Sequence, residues 1–234
     1  IRVAGQKVWT SNAHNCQWGL ATLRTDPGAA KHRGVTMMVI DLHADGLTIR
    51  PLREMTGESL FNEVFFDEVL VPDCDVVGEV GQGWQVARVT LGNERVTLGG
   101  TTAGVDIGPD DVIELLDDAP PPIGSELLLR TGEVLAEWHT QRPLNMRFAG
   151  ALAGAGPGPE ANVTKLVNAE CAQRITELAM ELAGVAAAAT GRAKRVTAAY
   201  LMTRCFTIAG ETSEIIRNTI AERILSLPRD PLLT

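Results

Sequence analysis

Around Pro72 the spacing of the apolar residues changes from two to three and four, and that switch limits the folds open to the chain. Residues 1–72 hold short apolar or β-branched runs at 2–10, 17–25, 35–42, 47–52 and 62–71, separated by Gly, Pro, Asp and Asn. No helical stretch lies between them to cross over between parallel strands, so they predict an antiparallel sheet or partial barrel and disfavour a doubly wound sheet. From residue 83 to 227 the apolar positions recur at helical spacing. Leu127, Leu128, Val134, Leu135 and Trp138 form one set, Val163, Leu166, Val167, Cys171, Ile175, Leu178 and Leu182 a second, and Ile215, Ile216, Ile220, Ile224 and Leu227 a third. The breaks APPPIG at 119–124 and GAGPGP at 154–159 separate them. This predicts an antiparallel bundle of about four long helices, with a short helix at 109–116 entered through Pro109. The predicted class is α+β: part of an antiparallel β-domain over 1–80, then a C-terminal four-helix bundle over 81–234.

A chain of 234 residues with 45% hydrophobic residues can bury a substantial core. Its net charge of −8 and pI near 5.1 argue against nucleic acid or an anionic membrane as the main partner, since both recruit clustered Lys and Arg. No uncharged apolar run reaches the ~18 residues of a membrane span, and no signal peptide opens the sequence, so the expectation is a cytoplasmic protein with no membrane span. Cys16, Cys74, Cys171 and Cys205 lack CxxC pairing and lie among apolar segments, which predicts reduced core thiols. His14, His32, His43 and His139 are isolated, and no metal site is expected. Ile1 stands in mid-strand, as in a piece of a larger polypeptide.

The stretch GQGWQVARVTLGNERVTLGG at 81–100 has a glycine-marked helix start, with Trp84, Ala87 and Leu91 at helical spacing and Glu94 and Arg95 adjacent behind them. On helix statistics alone Glu94 is a solvated residue on an outer face. The other reading is a buried general base.

Four motifs, GQKVWTSNA at 5–13, FFDEVLVP at 65–72, GEVGQGW at 78–84 and AGETSEIIRNTIAERILSLPRD at 209–230, together resemble the acyl-CoA dehydrogenase family. The resemblance covers 5–94 and 159–230 well and the middle poorly. It implies the last two of the family's three domains, the N-terminal helical domain being absent. It also implies FAD as cofactor, an acyl-CoA substrate, electron-transfer flavoprotein as acceptor, and a homo- or hetero-oligomer, expected as a tetramer. The family reaction takes an α-proton from the thioester and passes the β-hydrogen to the flavin as a hydride, leaving a trans-2-enoyl-CoA.

The resemblance also implies roles for single residues. Trp9 matches the tryptophan that packs on the isoalloxazine, and Ser11 the hydroxyl near flavin N5; the plainer reading of Trp9 is a core aromatic. Thr212 and Glu214 match positions that touch the cofactor, and their plainer reading is helix capping. Most members place the base in the terminal motif, at the position of Gly210 here, so the usual base is missing. Glu211 stands at a neighbouring position that is normally glycine and is the alternative base. A minority of members place the base on the first bundle helix, and Asn93-Glu94-Arg95-Val96 resembles that arrangement, which favours Glu94. Arg95 is then structural or substrate-binding.

Departures from the family pattern point to a second reading. Residues 101–122 contain no arginine to reach a neighbouring subunit's FAD pyrophosphate, and Glu181 stands where the family has an uncharged residue near the adenosine. Similar losses are found in actinobacterial subunits that work as mixed pairs on bulky or steroid side-chain acyl-CoAs. The alternative to a catalytic chain is therefore a non-catalytic structural subunit that completes a partner's active site.

Overall fold

The computed structural model describes the backbone of residues 1–100, 107–155, 159–185 and 192–229, and their side chains apart from 92–100, 149–155 and 192–193. The chain divides into two compact units, Ile1–Leu91 and Gly92–Thr234.

In the first unit every predicted run is a strand, with ends within one residue of those expected: β1 (Arg2–Ser11), β2 (Trp18–Arg24), β3 (Val35–Asp41), β4 (Leu47–Pro51) and β5 (Phe61–Leu70). A two-residue β6 (Val76–Val77) follows. All pairings are antiparallel, in two sheets of order β1-β5-β4 and β2-β3-β6, and they do not close into a barrel. Val3, Leu23, Met38, Ile40, Val64 and Phe66 share one buried core. The Lys7 amine donates to the Thr22 carbonyl at 2.8 Å and ties β1 to β2.

The second half of β5 shows how the acidic pair in FFDEVLV is kept out of that core. Val3 pairs with Val69 and Gly5 with Phe66, so Asp67 and Glu68 together face Ala4 alone. Glu68 takes φ 52°, a bulge that resets the alternation and turns Val69 inward, fully buried, while both carboxylates stay exposed. Other side chains remain uncovered. Val8, Trp18 and Leu20 are exposed, and Val8 and Leu20 border an open cleft of about 180 Å³ floored by Ile40, Leu42 and Val64.

Helix α1 (Gly83–Gly100) starts against β3. The buried Thr36 hydroxyl accepts from the Gly81 N–H at 3.0 Å and meets the Thr25 hydroxyl at 2.7 Å. A Cβ on Gly83 would lie 2.4 Å from Met37 N and from the Thr36 carbonyl carbon, so the close approach demands glycine. Trp84 stacks on His32 with ring centroids 4.1 Å apart. Of the three apolar residues that marked this helix in the sequence, only Ala87 is buried.

The second unit contains α2 (Pro109–Asp117), α3 (Ser125–Ala155), α4 (Ala161–Ala183), α5 (Arg192–Thr203) and α6 (Ser213–Arg223). Helix α4 is the hub and packs on α2, α3, α5 and α6. Ile107, Val112, Ile175, Leu178, Ala179 and Val196 form the centre of the core. The short helix entered through Pro109 is present, and its N-terminus is closed by Asp111, whose carboxylate accepts from the Gly108 N–H at 2.9 Å.

Two helices differ from what their apolar runs announce, and the reading of the cysteines needs correction. Helix α5 has no apolar run to announce it, because it buries only Val196, Ala199 and Thr203 among its described residues. Helix α3 continues through Pro143, well past the apolar set that ends at Trp138. The cysteines are not all core thiols: Cys16 and Cys74 are exposed, Cys205 is half-buried, and only Cys171 is fully enclosed. Burial, then the charge of Glu137, pushes the Cys171 thiol up to about 11.

Gly83→Ala is expected to destabilise the protein by about 1–3 kcal/mol, the usual cost of overpacking. A urea titration reads the effect as a lowered midpoint, and an unchanged midpoint would show that α1 does not need its close seat on β3.

Candidate active site

Two clusters carry the residues singled out in the sequence, one in each unit. The first is the bulged end of β1. Its register against β5 slips between Lys7 and Thr10, and Trp9 takes φ 60° within the slip. A left-handed conformation at a bulky aromatic residue costs about 1–3 kcal/mol and persists only where the surroundings enforce it. The enforcing residue is Asn62, fully buried on β5. Its amide nitrogen donates to the Thr10 carbonyl at 2.9 Å and the Leu60 carbonyl at 3.3 Å. Its amide oxygen lies 2.9 Å from His14 Nδ1, and Asn15 donates to His14 Nε2 at 2.9 Å, so the bonding pattern places the histidine proton on Nδ1.

Trp9 is not a core aromatic. The residue is 66% exposed, and its ring meets Phe61 edge-on at 5.9 Å. Ser11, also exposed, closes the same strand. The bulge therefore presents an indole face and a hydroxyl at one strand end.

The second cluster lies between α5 and α6. The chain reverses through Gly210 at φ 65° and Glu211 at φ 86°. Glu211 is exposed and holds a conformation suited to glycine, the residue usual at that place in the sequence pattern. The Ser213 N–H donates to the Thr207 carbonyl at 2.9 Å and closes the loop. Thr212 is the N-cap of α6, its hydroxyl oxygen accepting from the Ile215 N–H at 3.4 Å. The Glu214 carboxyl is held below its usual range by its own backbone N–H first and by the Thr212 hydroxyl second, with a smaller contribution from Arg217. Capping is thus a real part of what Thr212 and Glu214 do.

Beneath this loop the buried Lys165 of α4 donates to the Phe206 carbonyl at 2.9 Å and the Glu211 carbonyl at 2.8 Å. Gln173, two turns further along α4, donates to the Thr203 carbonyl and the Thr207 hydroxyl, both at 3.1 Å.

Comparison with known proteins places this architecture. The family profile for the C-terminal domain of acyl-CoA dehydrogenases matches residues 122–225. Acyl-CoA dehydrogenase FadE34 of Mycobacterium tuberculosis is 42% identical over 229 residues, covering 97% of this chain and 31% of its own length. Among solved structures, the ChsE4-ChsE5 complex from the same organism matches with a TM-score of 0.80 at 26% identity, over 98% of this chain and 62% of its counterpart. The C-terminal part of the chain resembles the C-terminal domain of acyl-CoA dehydrogenases in sequence, and the chain shares their fold. A Tcur3481-Tcur3483 steroid ACAD shares the fold, with a TM-score of 0.86 at 23% identity, over 98% of this chain and 61% of that one. The chain spans 31% of the length of FadE34 and under two thirds of the other relatives it matches almost end to end.

At Gly210, where the sequence resemblance puts the base of most members, no atom lies within 4 Å of where a Cβ would be. Helix α1 runs through Glu94 and Arg95, but the side chains of both lie outside the described residues. Trp9 and Ser11 come together at one strand end, and Glu211, Thr212 and Glu214 come together at the start of α6. Glu181 is neutralised by Arg130 of α3, at 2.8 Å.

Asn62, Lys165 and Gln173 were not visible as site residues in the sequence. Asn62 reads as a strand residue, and Lys165 sits in a run read only for its apolar members. The one signal for Lys165 is a lysine on the small-residue side of a helix, where solvated charges are not expected.

Removing the Asn62 amide leaves the Thr10 and Leu60 carbonyls without this donor. Asn62→Ala is expected to cost about 2–3 kcal/mol, near the top of the range for a buried hydrogen-bonded group. A chemical denaturation curve checks this, and a loss under ~0.5 kcal/mol would mean that Trp9 keeps its conformation for another reason.

Proposed function

We propose that this chain is a subunit of a FAD-dependent acyl-CoA dehydrogenase that converts an acyl-CoA thioester to the trans-2-enoyl-CoA, with Glu94 as the base. The observation that carries the reading is the terminal motif: it has a glycine with a left-handed backbone at 210, where a carboxylate would otherwise stand. Its neighbour Glu211, also left-handed, is the alternative base. We assign residues 1–80 to part of the middle β-domain and 81–234 to the helical bundle domain.

The residues present fit the flavin ring end of FAD. An exposed indole held in a costly backbone conformation, with a hydroxyl two residues on, suits the face and edge of a planar heterocycle. At the start of α6, the Thr212 hydroxyl and the exposed Glu214 carboxylate offer polar groups to the cofactor. Trp9 and Ser11 are the proposed cofactor contacts of the first unit, and Thr212 and Glu214 those of the second. When bound, FAD supplies the acceptor for the β-hydride.

The chain's own chemistry is proton removal. Glu94 takes the α-proton of the thioester, and Arg95 orients the substrate. Enclosure of a carboxylate in an apolar pocket raises its proton affinity towards the working pH, which suits a base acting on a carbon acid. Electron-transfer flavoprotein is the proposed acceptor of the electrons.

Exposed apolar side chains at Ile208, Ile215, Leu225 and Leu227 support an oligomer, proposed as a tetramer. The name of the steroid ACAD neighbour and the two-component ChsE4-ChsE5 complex support a bulky or steroid side-chain substrate and a mixed assembly. A second reading, a non-catalytic subunit that completes a partner's site, is favoured by one feature: residues 101–122 hold no arginine.

Flavin bleaching by acyl-CoA, measured on the purified chain alone and on the complex with its gene neighbour, separates the two. Glu94→Gln is expected to keep the flavin and to slow bleaching by about 10²–10⁴-fold, the usual contribution of a positioned general base. Bleaching at the parental rate removes Glu94 from the mechanism. A loss with Glu211→Gln instead moves the base to the terminal motif, and a complex in which neither change matters makes this chain the structural partner.

A further inference from the structure

The polar groups on the enclosed part of α4 do more than fill space. Lys165 is 7% exposed, and its amine bridges two carbonyls five residues apart, at Phe206 and Glu211. These two carbonyls flank the reversal through Gly210, so the amine fixes the width of the loop. It also holds one peptide directly: the Glu211 carbonyl belongs to the peptide that leads from the left-handed Glu211, at φ 86°, into Thr212, the N-cap of α6. Thr212 in turn bonds Glu214. A single buried side chain from the hub helix thus bonds the stretch of chain that leads into three candidate site positions, Glu211, Thr212 and Glu214.

We propose that Lys165 is a positioning residue for the site at the start of α6: it clamps the 206–211 loop and so aims Glu211, Thr212 and Glu214. The inference rests on the reading that these residues face cofactor or substrate. The clamp itself rests only on the two hydrogen bonds and the left-handed Glu211. An ammonium has three donors on a flexible stem, which suits bridging carbonyls of different direction. Gln173 holds the α5 side of the loop and the Ser213 N–H closes it onto Thr207, while Lys165 holds the Glu211 carbonyl.

The test compares the full chain with Lys165→Met, which keeps the apolar stem and removes every donor, and with Lys165→Arg, which keeps donors at the same place. Hydrogen exchange by mass spectrometry, without cofactor, is read for peptides over 204–215 and over α2. Titration with FAD gives a dissociation constant for each variant at a temperature well below its unfolding transition. The expected result for Lys165→Met is exchange at least tenfold faster over 204–215 with α2 unchanged, and FAD binding weakened about tenfold. Lys165→Arg is expected to recover most of both. Adding Glu211→Gly to Lys165→Met is expected to recover part of the FAD affinity, because glycine takes this backbone conformation without cost.

Exchange that rises equally in α2 and 204–215 overturns the clamp and leaves Lys165 a general stability residue. Faster local exchange with unchanged FAD affinity keeps the clamp and overturns the cofactor reading of this loop. A parental chain that binds no FAD does the same to that reading, and the exchange comparison still decides the clamp. Should Lys165→Met fail to fold, Lys165→Gln, with two donors on a shorter reach, carries the same comparison with an intermediate result expected.

Discussion

A helix packed on several sides has to satisfy its polar side chains from within the protein. Helix α4 is in that position: between Ala161 and Ala172 it buries Asn162, Thr164, Lys165 and Asn168 as well as its small apolar residues. Each buried polar group left unpaired would cost about 1–3 kcal/mol; the Asn162 amide oxygen has no partner, whereas Thr164, Lys165 and Asn168 each find one. Asn168 meets Asn145 of α3 in a reciprocal pair of amide bonds at 3.4 and 3.2 Å. Thr164 returns its hydroxyl to the Ala161 carbonyl. Lys165 draws in the carbonyls of the α5–α6 loop. The second half of the same helix is an ordinary apolar core element, with Ile175, Leu178 and Leu182 against α2 and α5. The helix thus has a packing half and a polar, loop-holding half, and the candidate site residues of the second unit depend on the polar half.

The first unit solves a similar problem with backbone instead of side chains. Two bulges, one at Trp9 and one at Glu68, break the strict alternation of β1 and β5. At Glu68 the bulge keeps a carboxylate out of the core. At Trp9 it does the reverse of what hydrophobicity alone favours and turns an indole outward. The cost of that conformation is met by Asn62, whose three partners all lie near the β1 end. This strained residue, supported by a buried amide, is the local observation behind the proposal that this end of β1 meets a ligand.

Strands β1 to β5 were legible because their apolar runs are short and bounded by turn residues. The helix at Pro109 was legible from its entry proline. Helix α4 was legible as a helix, but its buried face was not: Val163, Leu166 and Val167 are only half-buried while Asn162, Thr164 and Lys165 are enclosed. Periodicity assigns the apolar stripe to the core, and it has no means of seeing a neighbour that offers carbonyls. Helix α5 escaped notice for the related reason that its buried residues are few and small. Among the candidate site residues, Trp9, Ser11, Glu211, Thr212 and Glu214 were found by motif, whereas their supports Asn62 and Lys165 lie 53 and 46 residues away in sequence, read from Trp9 and Glu211.

The sequence alone determined what depends on local order: the α+β class, the place of the switch from strand to helix, the glycine at 83 and the missing carboxylate at 210. The tertiary structure decided what depends on groups distant in the chain. It showed why residue 83 must be glycine, since the backbone of β3 fills the space a Cβ would need. It also exposed Trp9, held Glu211 left-handed and placed Lys165 beneath the terminal motif. The division has one cause. Propensity and periodicity act over a few residues, whereas strain and buried polar groups persist only when partners from other elements enforce or satisfy them.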